Sequence, residues 1–269
     1  MTKHTITLSA LDLSITYSVK DNSPRGCHTV PGAQLQIGDK IVINNYFHEI
    51  VEEPATEPEK MPTETEIPAA AHTVSISKGN SKMGAIPSVS LPACVTCNPN
   101  APCFGKCYAR RLSARRATVR NAYERNLDIL NSDPAAYWLH VKAAAITTRF
   151  FRYHVSGDIP NADYLNNMIA TAHELPNTTF LAFTKQYPIV NEYLNHGGAI
   201  PSNLIIIFSN WGAWKCDNPH SLPTCEIILK GTEPAPDWKI CGGNCTECAC
   251  RGIGCWELKK GETIAIYEH

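Results

Sequence analysis

The sequence contains no uninterrupted run of about eighteen apolar residues, the length that a membrane-spanning helix needs. It therefore predicts no membrane span and no membrane partner. The first residues also lack an apolar segment followed by a small-residue cleavage site, so we expect a cytoplasmic protein. Charge is scarce as well, since 18% of the residues are charged and the net charge is −1. No overall positive field therefore indicates nucleic-acid binding.

Cysteine, by contrast, is abundant, with 12 residues in the chain. Four lie between Cys94 and Cys107 and six between Cys225 and Cys255, with Cys216 as a looser member of the second group. In a reducing compartment, clustered cysteines bind metal more often than they form disulfides. A disulfide-bonded secreted protein is the weaker alternative, because the sequence has no signal segment and its middle part is free of cysteine.

A length of 269 residues suits one large domain or two small ones. The alternating stretches Thr5–Leu8 and Leu13–Tyr17, and two strands around Gly38-Asp39 within residues 34–43, predict a small β unit. The acidic, proline-rich stretch that follows predicts an extended linker. The predicted parts are an N-terminal β unit (1–53), the linker (54–72), a main domain (73–215) and a cysteine-rich C-terminal segment (216–269).

The main domain alternates strand and helix patterns, which predicts an α/β fold with a parallel sheet and right-handed crossovers. Predicted strands cover 73–77, 86–91, 150–155, 179–183 and 204–208, with a last one at 262–267, and predicted helices cover 108–130, 134–147, 163–174 and 188–195.

The loop that carries the first four cysteines follows a predicted strand and precedes the long helix. Pro92, Pro99 and Pro102 keep it out of regular structure, and a looping backbone can direct several thiolates to one point. Both zinc and an iron–sulfur cluster suit Cys94, Cys97, Cys103 and Cys107. Zinc uses all four thiolates, whereas a cluster held by three leaves one iron open to a small molecule.

Three predicted strands end in small polar residues: Ser156-Gly157-Asp158, Thr184-Lys185 and Ser209-Asn210. The carboxyl ends of parallel strands line one edge of a sheet or barrel, where α/β folds place their chemistry. A cluster with an open iron and a bound small molecule explains these residues better than structural zinc does.

Several motifs together resemble the radical-SAM proteins and, more closely, the mycobacteriophage gene-product-88-like family. They are Lys82–Pro92, Cys97-x5-Cys103-x3-Cys107-Tyr-Ala, His154–Asp158, Phe183-Thr-Lys185 and the terminal cysteines followed by Trp256. The resemblance covers about 73–269 and leaves out the N-terminal unit. The common superfamily spacing is Cys-x3-Cys-x2-Cys, so the gaps of five and three here are a variant.

The resemblance implies a partial (β/α) barrel of radical-SAM type that carries a [4Fe-4S] cluster and S-adenosylmethionine. An electron donor would supply the electron that generates a 5′-deoxyadenosyl radical, which abstracts hydrogen from an unknown substrate. It implies that Ser156, Gly157 and Asp158 bind the methionine amino group, and that Thr184, Lys185, Ser209 and Asn210 contact its ribose or carboxylate. Cys94 either replaces Cys97 as a ligand or adds a fourth thiolate, which would close the site.

The terminal cysteines predict a second metal centre, with Cys225, Cys241, Cys245, Cys248 and Cys255 as ligands and Cys250 as surplus. An auxiliary [4Fe-4S] cluster and a structural zinc are both open at this site. The phage resemblance places the protein in the cytoplasm of an infected or prophage-bearing bacterium, with a nucleotide, nucleic acid or peptide as substrate.

Two alternatives to the enzyme stay open. One is a non-catalytic protein stapled by zinc or iron–sulfur, which binds a protein partner, or nucleic acid through the arginines of the 108–130 helix. At about 100° per residue these arginines spread around the helix, so a solvated face is the favoured interpretation. The other is a degenerate barrel that keeps a cluster for electron transfer or sensing.

Overall fold

The structure is a computed structural model that describes residues 73–268 and four strands before them. The chain divides into two compact units, Met1–Glu66 and Ile67–His269. In the first unit, β1 (Lys3–Leu8) pairs antiparallel with β2 (Leu13–Ser18), and β3 (Lys40–Ile43) pairs antiparallel with β4 (Tyr46–Glu49). The predicted strand at 34–37 and the linker lie outside the described residues, and the predicted four-part division stays a prediction.

The second unit is built on one eight-stranded sheet with the strand order β11-β12-β10-β9-β8-β7-β6-β5. Every neighbouring pair in it is parallel except β5 and β6. The strands are β5 (Ile76–Ser77), β6 (Ser88–Val89), β7 (Phe150–Tyr153), β8 (Thr179–Thr184), β9 (Leu204–Ser209), β10 (Thr224–Ile228), β11 (Lys239–Ile240) and β12 (Thr263–Tyr267). The predicted α/β class is confirmed, whereas the partial barrel stays a prediction.

Six α-helices accompany this sheet within the described residues: α1 (Tyr108–Arg115), α2 (Ala117–Ser132), α3 (Pro134–Ala145), α4 (Ala162–Glu174), α5 (Tyr187–Asn195) and α6 (Cys245–Arg251). Side chains of Asp133 and Asn161 cap α3 and α4 by accepting from the backbone N–H groups of Ala136 and Tyr164, each at 2.9 Å. A 3₁₀ helix covers Gly254–Glu257. None of the described helices combines the length and the apolar content that a membrane crossing requires.

The central strands are apolar on both faces, because both faces of the sheet are covered. Phe180 and Ala182 of β8 pack into the core formed with α2 to α5, whereas Leu181 between them packs into a second core. That second core lies against the cysteine-rich C-terminal segment and contains Cys225 and Trp256. The alternation of side chains along a strand therefore places helices α2 to α5 on one face and the C-terminal cysteines, with α6, on the other.

The predicted helix at 108–130 is broken at Arg116, whose φ of −127° and ψ of 96° are extended. Leu112 of α1 is 38% exposed because α1 lies at the surface before the break. The strands β10 and β11 and the helix α6 have no counterpart in the sequence prediction. The Thr224–Ile228 strand was missed because Glu226 interrupts its apolar pattern; the carboxylate is buried there by Asn210 and Lys215.

Candidate metal and cofactor site

The three predicted polar strand ends lie at one edge of the sheet, because β7, β8 and β9 are parallel neighbours. Thr184 and Ser209 are the last residues of their strands, and Asp158 follows β7 after a turn. The buried members of this set are Ser156, Asp158, Thr184, Ser209 and Asn210. The strand topology thus gathers the residues that we predicted to bind S-adenosylmethionine, while their binding role stays a prediction.

Asp158 ties the ends of β7 and β8 together. Its Oδ1 accepts from the Thr184 hydroxyl at 2.6 Å and from the Ile159 N–H at 2.8 Å, and its Oδ2 accepts from the Lys185 N–H at 2.8 Å. Burial raises the pKa of Asp158 to about 6, although these hydrogen bonds oppose the shift. Both carboxylate oxygens are therefore engaged by the protein itself, so this residue shapes the edge of the sheet.

The first cysteine loop rests directly on the turn after β7. Gly157 has a φ of +80°, and a Cβ there would lie 2.8 Å from the Leu91 carbonyl oxygen and from Thr96 Oγ1. Thr96 Oγ1 accepts from the Asp158 N–H at 2.9 Å, and the Thr96 carbonyl accepts from Gln186 Nε2 at 3.0 Å. A residue without a side chain is needed at 157 because the loop approaches so closely.

A further contact joins this loop to β8, since Asn98 Nδ2 donates to the Lys185 carbonyl at 3.2 Å. Beside Asn98 and the start of α5 lies a cleft of about 440 Å³. Its lining includes Tyr187, Asn191 and Asp217 but none of the cysteines. The cleft therefore flanks the loop without opening onto its thiols.

The four cysteines of the loop form what we call the first thiol group: Cys94, Cys97, Cys103 and Cys107. The pKa of the Cys97 thiol is raised to about 12, first by burial and then by the negative charges of Asp158, Cys94 and Cys107. Burial likewise raises the pKa of Cys94 and Cys103, and in both cases Cys107 adds to the shift. The four thiols are thus close enough to influence one another electrostatically.

Lys185 brings a positive charge to the first thiol group. Its Nζ donates to Ser209 Oγ at 2.7 Å. The ammonium opposes the rise in pKa that burial causes at Cys103, and it opposes the same rise at Cys225 on β10. The positive charge of Lys185 therefore favours the thiolate forms of both Cys103 and Cys225.

The side chain of Asn210, the other predicted residue at the end of β9, forms hydrogen bonds within the protein. Its Nδ2 donates to Glu226 Oε1 at 2.8 Å, and its Oδ1 accepts from the Cys216 N–H at 2.7 Å. Cys216 packs on the helix side of the sheet, away from the C-terminal cysteines. The geometry therefore assigns Asn210 a part in holding the β9–β10 connection.

The five cysteines predicted as ligands of the second centre lie in or against the second hydrophobic core, and we call them the second thiol group: Cys225, Cys241, Cys245, Cys248 and Cys255. The pKa of Cys225 is raised to about 12 by burial, with Cys241 adding to the shift. The pKa of Cys255 is also raised by burial, then by Cys241, Cys225 and Cys245. Cys250 is exposed on α6, and its surplus position stays a prediction.

Arg152 of β7 faces the second thiol group and was missed by the sequence analysis. Its Nη1 donates to Cys245 Sγ at 3.7 Å, and its guanidinium carbon lies 5.0 Å from the centre of the Phe183 ring. Within the described residues, its buried Nε has no hydrogen-bond partner and no carboxylate pairs with its charge. The sequence signal that could have indicated Arg152 is its place between two aromatic residues, Phe151 and Tyr153, of a predicted buried strand.

His154, directly after β7, is a second residue of interest, which the sequence analysis named only as part of the His154–Asp158 motif. It has a φ of 58°, and its Nε2 lies 3.0 Å from the Tyr164 hydroxyl, which in turn lies 2.9 Å from the Tyr137 hydroxyl. Burial lowers the pKa of His154 to about 3, and Arg152 adds to this. The imidazole is therefore neutral at physiological pH.

No disulfide joins the cysteines of residues 73–268, all of which are free. In the same part of the chain, no group of three or more His, Cys, Asp or Glu side chains is arranged so that it could hold a metal ion. The raised pKa values keep most of these thiols protonated in the metal-free chain, so metal binding would release their protons. The donor set itself is that of an iron–sulfur or zinc centre, since both thiol groups offer only sulfur.

A comparison with protein families matches residues 59–230 to the family described as gene product 88. The match covers the first thiol group and all three polar strand ends, and it stops before Cys241. No curated protein and no solved structure matches the chain. The match extends over more than half of the sequence, so the chain belongs to the gene product 88 family.

Proposed function

We propose that this member of the gene product 88 family is an iron–sulfur enzyme of the radical-SAM type, which modifies a substrate through a 5′-deoxyadenosyl radical. The observation that carries the proposal is the attachment of the first cysteine loop to the polar strand ends. Thr96 contacts Asp158 and Gln186, and Asn98 contacts Lys185. A cluster on this loop would therefore lie beside the residues proposed to bind its second cofactor.

The strand order supports an incomplete (β/α) barrel as the finer architecture. From β6 to β10 the parallel strands follow one another in sequence order, without the reversal that a doubly wound sheet contains. Helices α2 to α5 cover one face, as the outer helices of a barrel do, whereas α6 packs on the other. The opposite, inner face is occupied by the second thiol group and its apolar neighbours.

Three thiolates of the first group, from Cys97, Cys103 and Cys107, would hold the [4Fe-4S] cluster. Cys94 is proposed as the extra thiol, because its Sγ donates to the Phe104 carbonyl at 3.5 Å within the loop and its φ of 65° turns the chain there. When bound, the cluster with S-adenosylmethionine supplies one-electron cleavage of a carbon–sulfur bond, which gives the radical.

The residues around the first thiol group would orient the small cofactor. Lys185 offers a cation to a carboxylate and is positioned by the Ser209 hydroxyl. Within residues 73–268 the buried Ser156 hydroxyl has no hydrogen-bond partner, so it keeps a free donor at the turn after β7. Asp158 positions both Lys185 and Ser156 through the strand ends that it joins. Gly157, which has no side chain, lets the first cysteine loop pack closely against the turn after β7.

The second thiol group is proposed to hold an auxiliary [4Fe-4S] cluster, with structural zinc as the alternative that the donor set equally permits. The cations of Arg152 and Lys185 favour a site that carries excess negative charge, as four thiolates around a cluster or an ion do. A bound metal would also hold α6 and the 3₁₀ helix against the inner face of the sheet.

The test is anaerobic iron, sulfide and zinc analysis of the purified protein, with Cys103→Ala and Cys250→Ala beside it. About eight irons per chain indicate two cubane clusters, and about four with one zinc indicate a single cluster. Cys103→Ala should lose about four irons, while Cys250→Ala, at an exposed thiol outside both groups, should retain them all.

S-adenosylmethionine binding is measured on the same preparations by equilibrium dialysis. Binding by the reconstituted protein and its loss in Cys103→Ala support the proposal. Two zincs without iron, or an iron-loaded protein that does not bind S-adenosylmethionine, would contradict it.

A further inference from the structure

We propose that the exposed face of α1 binds single-stranded nucleic acid and presents it to the first thiol group. That this nucleic acid is the substrate rests on the proposed radical-SAM function, whereas the binding itself does not. The surface, which we call the α1 face, consists of Tyr108, Arg111, Leu112 and Arg115, all of which are exposed.

The charge around the α1 face is unlike that of the rest of the chain. Between Ile67 and Tyr123 the sequence contains no Asp or Glu. The same stretch carries Lys78, Lys82, Lys106, Arg110, Arg111, Arg115, Arg116 and Arg120. A chain with a net charge of −1 thus concentrates positive charge in the segment that holds the first thiol group.

The arginines of α1 have no counter-charge within the described part of the chain. No carboxylate pairs with Arg110, Arg111 or Arg115. Arg111 and Arg115 are four residues apart on a helix, where like charges repel each other and destabilise it. Glu124 and Asp128 on α2 are the first acidic residues that follow, and neither forms an ion pair there. An anionic partner would relieve this repulsion.

The structure shows that these side chains share one face. In a single helix over 108–130, the arginines would be spread around the helix axis. The break at Arg116 instead ends α1 after two turns. Within α1, Tyr108 and Leu112 lie four residues apart, as do Arg111 and Arg115, so that two adjacent stripes form. Ala109, which lies beside Leu112 and away from the two arginines, is the buried residue of α1.

Tyr108 supplies an aromatic surface of fixed orientation. Its hydroxyl donates to the Val155 carbonyl at 2.7 Å, while the side chain is 61% exposed. Val155 immediately precedes the Ser156–Asp158 turn, and Tyr108 immediately follows Cys107. A base stacked on this ring would lie next to the proposed cofactor site.

Single-stranded nucleic acid is the anion that matches both stripes. Guanidinium groups bind phosphate in a bidentate manner, and arginine outnumbers lysine five to one between residues 106 and 120. Unpaired bases stack on exposed aromatic rings such as that of Tyr108. A duplex or an acidic peptide has no unpaired base to stack there. Val95 of the first cysteine loop is a further exposed apolar side chain in the segment that holds the first thiol group, 65% exposed.

The test is fluorescence anisotropy with the anaerobically prepared full-length protein and a labelled oligo(dT) of about 16 nucleotides. We expect binding whose logarithm falls linearly with the logarithm of salt concentration. Arg111→Gln combined with Arg115→Gln should reduce that slope by about 1.4, since each lost phosphate contact on a single strand removes about 0.7. Arg149→Gln, at an exposed arginine before β7 at the opposite edge of the sheet, should leave it unchanged.

Tyr108→Leu should weaken binding roughly tenfold or more without changing the salt slope, because it removes stacking and not charge. Tyr108→Phe should restore most of the affinity. Absent or salt-independent binding, or an equal effect of Arg149→Gln, would overturn the proposal. So would a duplex that binds more tightly than the single strand, or poly-glutamate that competes equally well.

Iron and S-adenosylmethionine binding are measured on the same α1 variants. Variants that load iron normally but lose the oligonucleotide show a defect of the α1 face alone. If the protein takes up no iron but still binds the oligonucleotide in a salt-dependent way, nucleic-acid binding by the α1 face stands and the radical-SAM function is refuted.

Discussion

Thr184 and Asp158 join the carboxyl ends of two neighbouring strands through a hydrogen bond of 2.6 Å between Thr184 Oγ1 and Asp158 Oδ1. The bond is buried, and the Asp158 carboxylate accepts two backbone N–H groups as well. The edge of the sheet beside the first thiol group is therefore held by a carboxylate that spans β7 and β8.

Replacing Thr184 with Val should lower the free energy of unfolding by about 1.5–3 kcal/mol, because a buried carboxylate loses a donor. Thr184→Ser keeps the hydroxyl and should recover most of the loss. Denaturant unfolding of the metal-free protein measures both. A Val variant as stable as the parent would show that the hydrogen bond contributes nothing net.

Gly157→Ala should displace the first cysteine loop. The added Cβ would meet Leu91 and Thr96 at 2.8 Å, and the φ of +80° adds strain for any other residue. We expect the variant to lose most of the iron of the first centre and to be destabilised by more than about 2 kcal/mol.

Gly197→Ala provides the matched control, since Gly197 has a φ of +83° and no atom within 4 Å of an added Cβ. It should cost only about 1–2 kcal/mol of backbone strain and leave metal content unchanged. Equal metal loss in both variants would mean that strain, and not the approach of the loop, is responsible.

His154 should make stability depend on pH below neutrality. Its folded-state pKa, about 3, lies below the value near 6.5 expected in the unfolded chain. The unfolded state therefore takes up a proton first, and the stabilisation present above about pH 6.5 is lost as the pH falls. Between pH 6.5 and 5 this amounts to about 2 kcal/mol.

His154→Asn should remove this part of the pH dependence, and asparagine tolerates the φ of 58° at this position. The measurement is the free energy of unfolding of the metal-free protein at several pH values. His173→Asn, at an exposed histidine of α4, should leave the slope as it is. A parent-like slope in His154→Asn would exclude His154 as its source.

Arg152→Gln should weaken metal binding at the proposed second centre. The variant removes the guanidinium that donates to Cys245 and that lowers the pKa of Cys225 and Cys255. Because hydrogen bonds to charged groups contribute about 1.5–3 kcal/mol, we expect roughly 10- to 100-fold easier loss of that metal to a chelator. Metal analysis during chelator titration measures this, with Arg149→Gln as the control.

The metal of the first centre should stay bound in Arg152→Gln at the same chelator concentrations. Loss of both metals together would instead show that Arg152 stabilises the whole inner face of the sheet.

The α/β class and most elements around the first thiol group follow from local pattern. Apolar runs such as Leu204–Phe208 predict buried parallel strands because both faces of the sheet are covered. The polar residues after them, including Ser156 and Lys185, could be assigned to one edge because parallel strands share their carboxyl ends. The Asn161 cap of α4 has the same kind of local origin, because asparagine is a favoured residue directly before a helix.

Other features depended on contacts between distant residues. The strand that contains Cys225 is marked by no clear alternation, because Glu226 is buried only through its partners Asn210 and Lys215. Arg152 stands in an ordinary apolar strand, and only the inner face of the sheet brings it to Cys245, 93 residues further along the chain.

The sequence by itself determined that the first four cysteines share one short loop, because Cys94 and Cys107 are close along the chain wherever that loop lies. The placing of Cys225 beside the later cysteines depends instead on the pairing of β10 with β12. Tertiary structure decided what surrounds them: the engagement of both Asp158 oxygens, the close approach of the loop to Gly157, and the cations of Lys185 and Arg152. It also decided the break at Arg116, which ends α1 and leaves Arg111 and Arg115 together on its exposed face. These outcomes depend on packing between segments far apart in the chain, which local spacing does not encode.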